Sequence, residues 1–178
     1  ENAMLKIIDG NRDKIIYGKS MSFNELDWPD RDFIKNERNI NVAFNETGKK
    51  ITSFQSHRGC PFRCVYCADG YEKVLYPESK NKSICIENRD INDLLDEMEY
   101  VTKRYNLDLL KFCDATWNIN KDYVKDFCRE KIKRNFKTEF FANIHANLVD
   151  DEMFYLMKKA NCSSIGMGIE SGSPKILK

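Results

Sequence analysis

Three of the seven cysteines lie within eight residues, in the segment RGCPFRCVYC, where Cys60, Cys64 and Cys67 have the spacing CxxxCxxC. Short spacings of this kind in an irregular loop let consecutive thiolates converge on one inorganic centre, and thiolates are the usual ligands of iron–sulfur clusters. Three protein thiolates on a four-iron cubane leave one iron open to an outside ligand. The spacing therefore predicts a cluster-binding loop with one free coordination position.

A structural zinc site is the main alternative for these cysteines. Structural zinc takes four ligands in a closed site, most often from two paired clusters such as two CxxC motifs. The sequence offers no second pair, since Cys85 is isolated and His57 is too close to Cys60 to be an obvious fourth ligand. Three unrelated buried cysteines are disfavoured because neighbours such as Arg58 and Pro61 make a poor core segment. The pattern favours the cluster, with zinc as the alternative.

The same segment resembles the signature of the radical S-adenosylmethionine (SAM) superfamily, including the aromatic Tyr66 before the last cysteine. This resemblance implies a 4Fe–4S cluster that donates one electron to the SAM sulfonium, giving methionine and a 5′-deoxyadenosyl radical that abstracts hydrogen from a substrate. In such enzymes the cofactors carry the hard chemistry and the protein orients them. The resemblance also implies an electron donor of the flavodoxin or ferredoxin type, and it places Tyr66 against the adenine.

Two later positions agree with the resemblance. Asp114, in FCDATW, follows the second predicted strand, where the family places a motif that binds the amino group of SAM. A carboxylate can accept hydrogen bonds from an ammonium group, although Asp114 could equally cap the turn before the next helix. Glu170, in IGMGIESGS, is at a position that commonly meets the ribose hydroxyls. His145 and Asn147 end the third predicted strand, where His145 is either a structural histidine or a substrate contact.

Alternating strands and helices must position these residues. Apolar periodicity predicts strands at 51–56, 109–113, 140–144 and 164–169, and helices at 91–105, 122–136 and 150–160, with a further helix starting at Ser173-Pro174. Connections of this length suit parallel crossover units. We therefore expect an α/β fold whose sheet either curls into a barrel or stays open. The resemblance implies a partial (β/α)6 barrel, with about four of the family's six strand–helix units present. Residues 51–178 are assigned to the truncated N-terminal part of a radical SAM domain, whose last strand would leave an edge able to pair with a second chain.

The first fifty residues have a different character. Residues 1–3 resemble a cloning remnant, and 4–50 are predicted to be an interdomain linker. Within it, 7–18 suggests a small hairpin around Asp9-Gly10, and 23–32, which includes Trp28-Pro29-Asp30, suggests an extended stretch.

Later segments resemble one branch of the superfamily. The runs DATWNINKDYVKDFC and LVDDEMFYLMKKANCSSIGMGIESGSPKIL, with the linker FNELDWPDRDF, are similar to enzymes that carry a cobalamin-binding domain upstream. That branch includes anaerobic porphyrin ring cyclases and cobalamin-dependent methyltransferases acting on small molecules. The resemblance places cobalamin in an upstream domain absent from this chain, which alone is expected to be inactive. A rival subclass, methylthiotransferases acting on RNA or ribosomal protein, needs a second cluster and a C-terminal module, neither of which is visible.

Composition sets outer limits on function. The formal net charge of +1 gives no global field for attracting nucleic acid. No apolar run approaches the roughly 18–20 residues that span a bilayer, and no signal peptide is recognisable. An odd number of cysteines in a chain rich in regular structure fits a reducing cytoplasm. The four remaining cysteines are expected to be small buried hydrophobes, namely Cys85, Cys113, Cys128 and Cys162.

Overall fold

A four-stranded parallel sheet forms the centre of the computed structural model, which describes residues 2–13, 22–33, 48–62, 64–71 and 87–176. In their order across the sheet, the strands are β1 (Ile51–Phe54), β4 (Leu109–Phe112), β5 (Glu139–Ile144) and β6 (Cys162–Met167). Each strand pairs in parallel with the next one, and a crossover connection joins the two. This arrangement confirms the predicted α/β fold with parallel strand–helix units.

Three helices connect these strands, and each begins at a polar cap. They are α2 (Ile91–Tyr105), α3 (Lys121–Lys133) and α4 (Asp151–Lys159). Asp90 accepts hydrogen bonds from the first turn of α2, Asn120 from that of α3 and Asp150 from that of α4, because the first N–H groups of a helix have no intrahelical partner. Asn161, predicted to end the third of these helices, has the left-handed φ of 64°.

The helices cover one face of the sheet. Side chains alternate along a strand, and the alternate residues that point toward the helices are buried in one apolar cluster with α2, α3 and α4. Phe112 of β4 lies at its centre, with ring centroids 4.8 Å from Trp117, 5.3 Å from Phe127 and 5.8 Å from Phe140. This packing fixes the sheet, and with it the loops that leave its carboxyl edge.

Residues 22–33, part of the predicted interdomain linker, lie against α2. A short 3₁₀ helix is followed by Trp28, which donates its indole N–H to Asp93 at 2.7 Å. Arg31 pairs with the buried carboxylate of Glu97 at 2.8 Å and also donates to a β1 carbonyl at 3.1 Å. The stretch predicted to be extended is therefore held on the domain by side-chain contacts.

The N-terminal hairpin is replaced by a helix where the chain is described. Residues Asn2–Ile8 form α1, so Ile7 and Ile8 end a helix instead of a first strand. Gly10 follows with a φ of 95°, and its N–H donates to the carbonyl of Ile7. Glycine in this conformation is a common helix terminator, which explains why the Asp-Gly pair ends a helix here. Residues 14–18, the predicted second strand, lie outside the described residues.

Two further local differences are present. A short antiparallel pair, β2 (His57–Arg58) and β3 (Glu87–Asn88), flanks the cysteine loop and was not predicted. Pro174, the predicted start of a further helix, lies in a turn closed by a hydrogen bond from Ile176 N–H to the Ser173 carbonyl at 3.0 Å. Within the described residues, no helix is long and apolar enough to cross a membrane.

Candidate functional site

The residues singled out from the sequence follow the carboxyl ends of the four parallel strands. The cysteine loop comes after β1, Asp114 after β4, His145 after β5 and Glu170 after β6. Parallel strands bring their carboxyl ends to one edge of the sheet, where α/β proteins place their ligand sites. The fold therefore brings the predicted site residues to a common edge.

The three cysteines differ in exposure. Cys60 is 7% exposed, Cys67 is half-buried and Cys64 is exposed. The Cys67 N–H donates to the Cys64 carbonyl at 3.0 Å, which forms a tight turn between them. In the part of the chain that the structure describes, no three His, Cys, Asp or Glu side chains are grouped as metal ligands.

The donor set itself fits an iron–sulfur cluster. Three thiols on one eight-residue loop match the ligand type of such clusters. Binding would draw the accessible thiols of Cys64 and Cys67 toward the buried thiol of Cys60. Cys60 is thus the one buried thiol of the three, and the other two are more accessible to solvent.

Tyr66 and Glu170 are brought together although they are far apart in the sequence. The Glu170 carboxylate raises the pKa of the exposed Tyr66 phenol, because it accepts the phenolic hydrogen and opposes a second negative charge. Glu170 has a φ of 59°, in the left-handed region that favours glycine. An added Cβ at Gly168 would lie 2.5 Å from Glu170 Oε1, so the glycine makes room for the folded-back carboxylate. Both residues remain predicted SAM contacts.

Asp114 lies deeper than expected for a ligand contact. It is 2% exposed, and its Oδ1 accepts hydrogen bonds from Ser56 N–H at 2.9 Å, Ser56 Oγ at 3.1 Å and His57 N–H at 2.8 Å. The predicted contact with an ammonium group would have to use Oδ2, which is buried without a partner among the described residues. The observed contacts join the end of β4 to the beginning of the cysteine loop.

The Asp114 carboxylate also lies beside a buried imidazole. His57 Nδ1 is 3.1 Å from Asp114 Oδ1, and both side chains are almost completely inaccessible. Burial lowers the pKa of His57 and raises the pKa of Asp114, since both charged forms lose hydration.

His145 has a structural role in the geometry at the end of β5. Its Nδ1 accepts a hydrogen bond from Asn147 N–H at 3.2 Å and so caps a short 3₁₀ helix. Its ring stacks on Phe62 of the cysteine loop, with centroids 4.2 Å apart. These contacts match the structural alternative given for His145, and they make it part of the support for the loop.

A cavity of about 160 Å³ lies beside the beginning of the cysteine loop. It lies at the carboxyl ends of β1 and β4, and its walls come from the two loops that leave these strands, namely Gln55, His57, Arg58, Gly59, Asp69, Cys113 and Ala115. Most of these residues were not predicted from the sequence to form one site. The sequence signal that could have indicated it is that they lie in the loops that follow two predicted parallel strands.

The described cysteines outside the cluster motif differ in burial. Cys128 is completely buried, as predicted, and burial raises its pKa to about 12. Cys162 is half-buried, with a pKa raised to about 11 by burial. The prediction for Cys113 is wrong, because it is exposed. It follows buried Phe112 in β4, and strand alternation turns it to the face away from the helices. Cys85 lies outside the described residues.

Comparison with known proteins gives curated relatives of much greater length. The chain is 26% identical over 121 residues to an uncharacterized methyltransferase of Pyrococcus horikoshii, which covers 68% of the chain and 24% of the relative. It is 24% identical over 147 residues to the anaerobic magnesium-protoporphyrin IX monomethyl ester cyclase of Rubrivivax gelatinosus, covering 82% and 24%. The chain thus spans about a quarter of the length of these relatives.

The fold has a counterpart among solved structures. The radical SAM methyltransferase TsrM of Kitasatospora setae, with cobalamin and a [4Fe–4S] cluster bound, superposes with a TM-score of 0.61 at 19% identity, over 73% of this chain and 23% of that one. This likeness supports the barrel-like α/β assignment. In addition, the family model described as the radical SAM superfamily matches residues 54–178, well over half of the chain. The chain therefore belongs to the radical SAM superfamily.

Proposed function

We propose that this chain is the part of a radical SAM enzyme that binds the 4Fe–4S cluster and SAM. The observation that carries the proposal is the loop with Cys60, Cys64 and Cys67, which leaves β1 at the carboxyl edge of the sheet and lies within the superfamily match. Bound there, the cluster would supply the electron that cleaves SAM to methionine and a 5′-deoxyadenosyl radical.

The surrounding residues have separate tasks in this proposal. The three thiolates hold three irons, and the fourth iron stays open to the amino and carboxylate groups of SAM. Tyr66 and Glu170, which meet across the loop, would flank the adenosine, with the Glu170 carboxylate accepting hydrogen bonds from ribose hydroxyls. Asp114 would meet the SAM amino group only through Oδ2, so its main task is to hold the beginning of the loop.

We further propose that the full-length protein belongs to the cobalamin-linked branch and acts on a small molecule. The names of the relatives support either methyl transfer or ring cyclisation, since they include a methyltransferase and a porphyrin cyclase. Cobalamin would be held by an upstream domain, and a flavodoxin- or ferredoxin-type donor would supply electrons. A cytoplasmic location fits this chemistry, because the cluster thiolates must stay reduced.

Anaerobic reconstitution with iron and sulfide tests the cluster. The expected product is a brown protein with a 4Fe–4S spectrum that shifts when SAM is added. In the full-length protein, Cys60→Ala, Cys64→Ala and Cys67→Ala should each abolish reductive cleavage of SAM, whereas Cys128→Ala, which removes a buried thiol on α3, should leave it largely intact. Recovery of one equivalent of zinc with no iron uptake would contradict the proposal and support the zinc alternative.

A further inference from the structure

The loop that follows β4 contacts the first residues of the cysteine loop. Asp114 Oδ1 receives two backbone N–H groups, from Ser56 and His57, together with the Ser56 hydroxyl. Three donors thus converge on one carboxyl oxygen. One buried oxygen therefore fixes the backbone at the residues three and four positions before Cys60.

The same loop also reaches the buried cysteine itself. Thr116 Oγ1 lies 4.0 Å from Cys60 Sγ, at the outer range of hydrogen bonds to sulfur, and both residues are buried. A thiolate has no hydrogen to donate, so with Cys60 ionised the Thr116 hydroxyl is the donor. Hydrogen bonds to cluster sulfurs are one of the determinants of reduction potential.

A third contact acts through the end of β5. The completely buried Asn118 accepts from His145 N–H at 2.8 Å and donates to the carbonyls of His145 and Leu148 at 3.1 and 2.9 Å. These bonds hold the backbone of His145, and Phe62 stacks on the His145 ring. Asn118 thereby supports the cysteine loop two residues after Cys60.

We propose that residues 114–118 are a positioning element for the cluster ligands, acting through Asp114, Thr116 and Asn118. The element holds Cys60 in place before any cluster binds and leaves Cys64 and Cys67 free to close around it. This inference rests on the proposed function for its cluster, but not for its account of the metal-free loop. In this proposal, the segment after β4 positions the cysteine loop and is not limited to contact with SAM.

The metal-free chain supplies the first test. Asp114→Asn replaces the carboxyl group with an amide of the same shape, and the alkylation rate of each cysteine under anaerobic conditions is followed by mass spectrometry. We expect Cys60 to react about tenfold faster, which corresponds to about 1.4 kcal/mol of lost protection, with Cys64 unchanged. Asp150→Asn is the matched control, because Asp150 also accepts a backbone N–H but caps α4 and pairs with Lys125.

Circular dichroism shows whether Asp114→Asn still folds. If it does not, Ser56→Ala keeps the test decisive, because it removes the hydroxyl with its contacts to Asp114 and His57 Nδ1 but keeps both backbone N–H bonds to Asp114. That variant should also expose Cys60, by a smaller factor. Unchanged protection of Cys60 in a folded Asp114→Asn or Ser56→Ala protein overturns the proposal.

The reconstituted chain supplies a readout that general stability would not move. Thr116→Val keeps the volume and removes the hydroxyl, so the cluster should form with a more negative reduction potential, and Thr116→Ser should restore the wild-type value. An identical potential in all three proteins contradicts the role of Thr116. Wild-type protein that takes up no iron counts against the proposed function, while the alkylation rates still decide whether 114–118 holds the loop.

Discussion

Phe62 and His145 stack with ring centroids 4.2 Å apart and ring planes inclined by 12°. The first residue lies between two cysteines of the cluster motif, and the second ends β5. The pair is thus a direct contact between the cysteine loop and the carboxyl edge of the sheet. It joins the hydrogen bonds around Asp114 in defining where the cysteine loop can lie.

Removing this stack should loosen the loop without unfolding the domain. Phe62→Ala loses an aromatic pair worth about 0.5–1.5 kcal/mol, and Phe62 lies outside the main apolar cluster. We expect a small decrease in melting temperature but a clear decrease in iron retained after gel filtration of the reconstituted protein. Phe62→Tyr keeps the ring and should retain iron like wild type. Equal retention by the alanine variant would show that the stack does not support the site.

The buried thiols should differ from the cluster ligands in their response to pH. Burial raises the pKa of Cys128 to about 12 and that of Cys162 to about 11. Thiolates are the reactive form, so at pH 8 both residues should resist iodoacetamide while exposed Cys64 is modified. Reaction at Cys162 should increase only as the pH approaches 11.

The same shifts have a consequence for stability. Unfolded thiols ionise near pH 9, whereas the folded ones ionise later, so above pH 9 the folded state binds more protons. The free energy of unfolding should therefore fall as the pH rises through 9. Cys128→Ala should reduce this decrease in the free energy of unfolding. Urea titrations at several pH values measure the decrease, and mass spectrometry measures the modification of each thiol. Early modification of Cys128 at pH 8 would contradict the burial seen here.

Sequence patterns predicted the regular elements better than the side-chain contacts. The helix over Ile91–Tyr105 could be placed because its apolar period and its cap Asp90 are local properties of the chain. The partners of Asp114 could not be placed, because Ser56 and His57 reach it only after β1 and β4 pair in parallel. For the same reason, Tyr66 and Glu170 were predicted separately, and only the fold brings them together.

Two errors have local physical causes. Asp9-Gly10 is compatible with both a hairpin turn and a helix end, and the helix-forming residues before it favour the helix. Cys113 was assigned to the core from residue type alone. Its position directly after buried Phe112 already implied the opposite face of the strand.

The segment 22–33 should depend on one buried carboxylate. Glu97 is 1% exposed and pairs with both Arg31 and Arg89, so Glu97→Gln removes the carboxylate partner of Arg31 and leaves Arg89 with Asp93 alone. Breaking a buried pair from one side costs about 3–5 kcal/mol. We expect a large loss of stability in urea titrations and faster proteolysis within 22–33.

A matched control for this change is Asp32→Asn. Asp32 pairs with Arg104 at the surface, where solvent screens the interaction. That variant should leave both stability and proteolysis close to wild type. If Glu97→Gln behaves like Asp32→Asn, the segment is held by its aromatic contacts, such as that of Trp28 with Tyr100, and not by the charge network.

Gly168 should control the contact between Tyr66 and Glu170. In Gly168→Ala the new Cβ would lie 2.5 Å from Glu170 Oε1, so the carboxylate has to move away. Because Glu170 is the main cause of the raised pKa of Tyr66, the phenol should then titrate at lower pH, nearer its usual value. The difference in tyrosinate absorbance between each protein and its Tyr66→Phe derivative isolates this one titration.

Gly172→Ala is the control for that change, since an added Cβ there meets nothing within 4 Å. It should leave the Tyr66 titration unchanged, and Glu170→Gln should reproduce the effect of Gly168→Ala. In reconstituted protein, both Gly168→Ala and Glu170→Gln should also weaken SAM binding if the carboxylate meets the ribose. A shifted titration with unchanged SAM affinity would confirm the contact between Tyr66 and Glu170. It would also show that Glu170 does not bind SAM, because the carboxylate would have moved without changing SAM affinity.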